Sequence, residues 1–140
     1  MAGKDHGRYA LDSYALLTFF EGERGQEKVA GLLREAEKGT CELLLNVVNL
    51  GEIAYIVERE RGLPQAQAVL ARIDELPVEI VGIDRRLALA AAHIKARYPI
   101  AYADCFTAAL ALENNAALVT GDSELTGPCR DNGIKLIWID

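Results

Sequence analysis

Residues 8–20, RYALDSYALLTFF, change their periodicity in the middle. Arg8 to Leu11 read as a short strand, Asp12 stands where that strand ends, and SYALLTFF carries apolar residues at helical spacing. A strand that runs through an acid into a helix opens a βα unit, and the rest of the chain repeats the alternation. Gly22 and Gly25 punctuate the chain, QEKVAGLLREAEKG reads as an amphipathic helix closed by Gly39, and CELLLNVV reads as a strand. The next helix is expected to open near Asn49 and run to Gly62, and Pro64 suits the first turn of another, Gln65 to Leu76. VEIVGI reads as a strand, Asp84 to Arg97 as a helix capped by Asp84, and Asp104 to Asn114 as an alanine-rich helix. AALVT and KLIWI complete the strands. This order predicts an α/β fold with a mostly parallel central sheet flanked by helices on both faces.

A chain of 140 residues, 51% of them hydrophobic, suits one ordinary globular domain. Residues 8–140 are expected to form it, with 1–7 a flexible N-terminal tail. No apolar run is long enough to span a bilayer, and the N-terminus lacks the apolar core of a secretory signal, so the expected location is the cytoplasm. Cys41, Cys105 and Cys129 are odd in number and widely spaced, which favours reduced structural thiols over a disulfide framework or a zinc knuckle. A net charge of −6 argues against a surface that coats polyanions generally. It leaves room for a basic rim around an acidic site.

AYADCFTAALA, residues 101–111, poses the chemical question, because a buried unpaired carboxylate at Asp104 is costly unless something compensates it. In open α/β sheets the ligand crevice lies outside the carboxyl ends of the strands. Asp12 follows the first strand, Glu52 lies about a turn into the helix after LLLNVV, and Asp122 follows LVT. Four acids converging there repel one another unless a cation sits among them, and an all-oxygen donor set suits Mg²⁺ or Mn²⁺. Each acid also has an ordinary reading. Asp12 or Asp104 could cap a helix, Glu52 could be a solvated face residue, and Asp122 could be turn chemistry.

YALDSYALLTFFEGE, VNLGEIAYIVERERG, YADCFTAALALENNAALVTGDSEL and GIKLIWI together resemble the PIN domain, and within it the VapC-type ribonuclease toxins of prokaryotic toxin–antitoxin pairs. The resemblance runs from about Arg8 to Ile139. It implies a PIN-like sandwich and an endoribonuclease whose metal site is formed by Asp12, Glu52, Asp104 and Asp122. It further implies Thr120 as a hydroxyl near the metal, with Ser13 and Asn49 as weaker supporting positions. TGPCR departs from the family pattern and reads as a loop variation. The implied partners are an RNA substrate, a cognate antitoxin and a second copy of the chain, with no membrane.

The chemistry agrees with that assignment. Divalent ions can activate water and neutralise phosphoryl oxygens, so no side-chain nucleophile is required. A paired-histidine mechanism is poorly supplied, since His6 lies in the tail and His93 in the middle of a helix, where a surface or core-edge role is expected. Arg59, Arg61, Arg85, Arg86 and Arg97 are the available cations for an RNA backbone, although such runs are more often solvated helix faces. Tyr14, Leu16, Leu17, Phe19 and Phe20 offer more apolar surface than one buried face needs, which points to a partner on the first helix. The competing function is a PIN-like module that binds RNA or protein without cutting, and four mutually repelling carboxylates argue against it. A flavodoxin-like nucleotide binder lacks a Gly-rich phosphate loop after the first strand.

Overall fold

In the computed structural model, which describes residues 7–140, five strands form one parallel sheet in the order β3-β2-β1-β4-β5. Along the chain, β1 (Gly7–Leu11) leads into α1 (Ser13–Glu21) and α2 (Gln26–Glu37), then β2 (Cys41–Asn46), α3 (Val47–Arg61), α4 (Leu63–Glu75) and β3 (Glu79–Val81). The second half comprises α5 (Arg85–Arg97), α6 (Tyr102–Glu113), β4 (Ala117–Thr120), a short 3₁₀ turn (Ser123–Leu125), α7 (Thr126–Asp131) and β5 (Leu136–Trp138). The expected tail falls mostly on residues 1–6, outside the described residues, and Gly7 already belongs to β1.

Alternation along the strands divides the core into two layers, because successive side chains point to opposite faces. Ala10, Leu44 and Leu118 face a cluster built with Leu87, Ile94, Phe106 and Leu110 from α5 and α6. Leu11, Leu43, Leu45 and Val119 face the other cluster, with Leu16, Val29, Ile53, Val69 and Ile73 from α1 to α4. Each fully buried leucine or isoleucine in these layers contributes roughly 1.5–3 kcal/mol. Helices therefore cover both faces, as the sequence predicts.

Four local expectations are corrected. The strand predicted over CELLLNVV stops at Asn46, and Val47 and Val48 open α3. The Asn46 side chain accepts the Asn49 N–H at 2.9 Å, which makes it the N-cap and ends the apolar run two residues early. The strand predicted over VEIVGI shortens to the edge strand Glu79–Val81. TGPCR is helical, as most of α7, with Pro128 and Cys129 buried against the α5–α6 layer. Phe19 and Phe20 are half-buried rather than exposed, in edge-to-face contact with each other and with the Arg72 guanidinium 4.8 Å over the Phe20 ring.

Candidate functional site

Chain direction reverses across the sheet between β1 and β4, since β1 leads on to β2 at one side whereas β3 returns to β4 at the other. The carboxyl ends of these two strands carry Asp12 and Thr120, where such a fold leaves a crevice. Asp12 is 1% exposed and caps α1, its Oδ1 accepting the Ala15 N–H at 2.8 Å. Its Oδ2 accepts the Thr120 hydroxyl, and that hydroxyl oxygen accepts the Asp122 N–H at 2.9 Å. One hydroxyl thus ties the acid after β1 to the loop after β4. Asp122 in turn accepts the Glu124 N–H at 2.9 Å, so it serves as the cap of the 3₁₀ turn.

Asp104 is not a helix cap. The α6 helix begins at Tyr102, and the carbonyl of Ala101 accepts the Asp104 and Cys105 N–H groups. This places the Asp104 carboxylate in the first turn, where the positive end of the helix dipole favours an anion. It is nevertheless pushed up to about 7, by burial first and then by the charges of Asp122, Glu52 and Glu124. Asp12 is also pushed up to about 7, because burial outweighs the hydrogen bonds from Thr120 and Ala15, with Asp104 and Asp122 adding repulsion. Among the described residues none of these acids forms an ion pair with Lys or Arg.

The acids are not all equally close. Asp104, Asp122 and Glu124 bring carboxylate oxygens within 4.8 Å of one another, graded from buried to exposed. Asp12 and Glu52 stand outside that trio but within its field. Glu52 is half-buried, and its Oε1 accepts the Ser13 hydroxyl and the Asn49 side-chain amide, the latter at 3.4 Å. Such a set of oxygen donors, crowded and without counter-charge, fits a hard divalent cation. Glu124 was not picked out from sequence. The signal was its place two residues after Asp122, but an acid there also reads as ordinary first-turn chemistry.

Gly121 shows how tightly the Asp122 loop is held. A Cβ at this position would lie 2.3 Å from Cε1 of Tyr14, whose hydroxyl donates to Asp140 Oδ2 at 3.1 Å. The ring therefore occupies the space beside the backbone, and only glycine leaves room for it. Gly121→Ala is expected to force the ring or the loop aside and to destabilise the fold by about 1–3 kcal/mol, the usual range for overpacking. Thermal denaturation checks this, and Tyr14→Ala in the same chain should recover part of the loss.

The expected cations separate by position. Arg86 pairs with Glu113 at 3.5 Å, which sets α5 antiparallel to α6 and puts this arginine nine residues, or about 13 Å, from Asp104 along the helix. Arg85 neighbours it in sequence. Arg61 pairs with Glu21 at 3.8 Å, and Arg59 stacks on Tyr55, both toward the far end of α3 from Glu52. Arg97 lies at the other end of α5, close to the start of α6, and donates to Asn132 at 3.1 Å. His93 is on the exposed face of α5, His6 lies outside the described residues, and the three cysteines are free and buried.

Several solved structures share this architecture. VapBC2 from Rickettsia felis bound to a promoter DNA fragment is 18% identical, with a TM-score of 0.76, covering 95% of this chain and 99% of that one. VapC20 from Mycobacterium tuberculosis, a sarcin–ricin-loop-cleaving toxin, is 14% identical with a TM-score of 0.70, covering 86% and 94%. A toxin–antitoxin complex from Klebsiella pneumoniae is 15% identical with a TM-score of 0.62, covering 85% and 91%. At these identities the likeness is one of fold. No curated protein matches the chain in sequence. The PIN domain family profile matches residues 9–128, a span that starts within β1, takes in β2 to β4 and includes the three closest carboxylates. Sheet order, acids at the strand ends and this match agree, and the chain belongs to the PIN domain family.

Proposed function

We propose that this protein is a divalent-metal-dependent endoribonuclease, the toxin of a toxin–antitoxin pair acting in the cytoplasm. The observation that carries the reading is the trio Asp104, Asp122 and Glu124, with oxygens within 4.8 Å and no basic partner among the described residues. These three, with Asp12 and Glu52 beside them, are the residues proposed to hold Mg²⁺ or Mn²⁺. When bound, such an ion supplies charge neutralisation at a phosphoryl group and a readily deprotonated water. Thr120 fixes the separation of Asp12 from the Asp122 loop, and Ser13 holds the Glu52 carboxylate. Asp104, pushed up to about 7, can hold a proton at its carboxyl oxygen in the neutral range, and would serve as a ligand in its ionised form. The structural neighbours that cleave RNA or form toxin–antitoxin complexes support the same reading.

The partner surfaces follow. A groove between α1, α3 and α4 is lined by Leu17, Phe20, Val57 and Val69, with Glu21, Arg61 and Arg72 at its rim. It suits an amphipathic segment of an antitoxin. The antitoxin is expected to inhibit by placing an Arg or Lys among the acids, in place of the metal's charge. A second copy is a further expected partner, and a dimer mass in light scattering at micromolar concentration checks this. A monomer mass counts against it.

The decisive experiment incubates the purified protein with total bacterial ribosomal RNA. Discrete fragments are expected with Mn²⁺ or Mg²⁺ and none in excess EDTA. Undiminished cleavage in EDTA overturns the metal dependence. Intact RNA with either ion favours the module that binds without cutting.

A further inference from the structure

A fully buried polar chain links the acids to the protein interior, and it has a direction. Asn46, Asn49 and Thr107 are each 0% exposed. The backbone N–H of Asn49 donates to Asn46 Oδ1 at 2.9 Å, which fixes the amide of Asn46 with its Nδ2 pointing at Asn49 Oδ1, 3.0 Å away. The Thr107 hydroxyl, from α6, donates to the same Oδ1. Its other candidate acceptor, the Ala103 carbonyl, lies at 3.5 Å, too long to compete.

With its oxygen claimed twice, Asn49 turns its Nδ2 toward Glu52 Oε1 at 3.4 Å and the Ala103 carbonyl at 3.3 Å. The reverse orientation would set an amide oxygen against a carboxylate and a carbonyl, and would leave both donors facing an NH₂. Only one arrangement satisfies the group. One amide therefore faces both an acid of α3, whose nearer donor is the Ser13 hydroxyl, and, through the residue before it, the first turn of α6 that carries Asp104.

We propose that Asn49 is a positioning residue that sets the separation of Glu52 from Asp104, with Asn46 and Thr107 fixing the sense of its amide. The inference rests on the metal-site reading above. A buried network of this kind either is fully satisfied or is worse than an apolar core, so its members act as a unit. Outer partners that orient metal-binding groups typically change metal affinity about 10–100-fold when removed.

Titration of the whole protein with Mn²⁺, followed by the electron paramagnetic resonance of the free ion, tests this without reference to activity. Asn49→Ala is expected to weaken Mn²⁺ binding about 10–100-fold. Thr107→Val, which touches no acid, should weaken it by a smaller factor, and Thr107→Ser, which keeps the hydroxyl, should bind as wild type does. Crystal structures of metal-free wild type and Asn49→Ala should show the Glu52 carboxylate displaced relative to Asp104. Wild-type affinity in both Asn49→Ala and Thr107→Val overturns the positioning role. If Asn49→Ala does not fold, Thr107→Val decides alone, and unchanged affinity there overturns it. Wild-type protein that takes up no Mn²⁺ overturns the metal site itself, a separate failure.

Discussion

Asp104→Asn is expected to lower the rate of RNA cleavage on the order of a thousandfold or more while leaving circular dichroism unchanged. The loss follows from position. Asp104 is the buried member of the three closest carboxylates, burial and the charges of Asp122, Glu52 and Glu124 all raise its pKa, and among the described residues no hydrogen bond to its side chain offsets them. A group in that state contributes to whatever sits in the cleft and little to the structure around it. Asparagine keeps the shape and removes one of the charges that would hold a divalent ion. Electrostatic groups aimed at a reacting centre are commonly worth about 3–4 kcal/mol each, which is two to three powers of ten in rate. A cation ligand that also sets the proton balance should lie at or above that range. Cleavage within threefold of wild type under saturating Mn²⁺ would remove Asp104 from the site. Loss of the folded spectrum would make it a structural residue instead.

Much of the fold is legible because it rests on short-range pattern. The alternation of Ala10 with Leu11, of Leu44 with Leu43 and Leu45, and of Leu118 with Val119 assigns residues to faces without knowledge of the partners. Asp12 could be placed because a strand ends at it, and Asp122 because it follows LVT. Both cap local structure, which is the ordinary reading of those acids, and the metal-binding role proposed for them is compatible with those caps.

What sequence could not give depends on contacts between distant segments. Asn46 ends β2 through a side-chain hydrogen bond, whereas LLLNVV alone looks like one continuous strand. Glu124 joins Asp104 only because the 3₁₀ turn folds the chain back toward α6. Phe19 and Phe20 looked unpartnered, since their cover comes from Arg72 on α4, about fifty residues away. Nor could the DRR run show that the pairing of α5 with α6 sets Arg86 against Glu113, nine residues along α6 from Asp104.

In metal-free protein Asp104→Asn is expected to raise the melting temperature at pH 8, and the gain should vanish near pH 4. The Asp104 carboxyl stands at about 7 in the fold against an ordinary 3.8 in the unfolded chain. Between those values the folded state binds the extra proton, so the stability of the wild type falls as pH rises from about 4 to about 7 and stays low above it. A shift of that size corresponds to about 4 kcal/mol if taken at face value. Asp104 lies beside the exposed Glu124, and solvent screening of that carboxylate group reduces the expected gain to about 1–2 kcal/mol. For a chain of this length that is roughly 3–7 °C. Asp12→Asn should gain less, because the Asp12 carboxylate accepts from both Thr120 and the Ala15 N–H, and an amide can accept only at its oxygen. Mn²⁺ should then reverse the order, stabilising the wild type more than Asp104→Asn, since binding to the folded state adds stability as the logarithm of ligand over dissociation constant. Melting curves at pH 4, 6 and 8, with EDTA and with Mn²⁺, separate the cases. A mutant that melts lower than wild type in EDTA at pH 8, with equal shifts on adding Mn²⁺, would mean that the Asp104 charge supports the fold and that the repulsion from Glu52, Asp122 and Glu124 is already relieved by some other group.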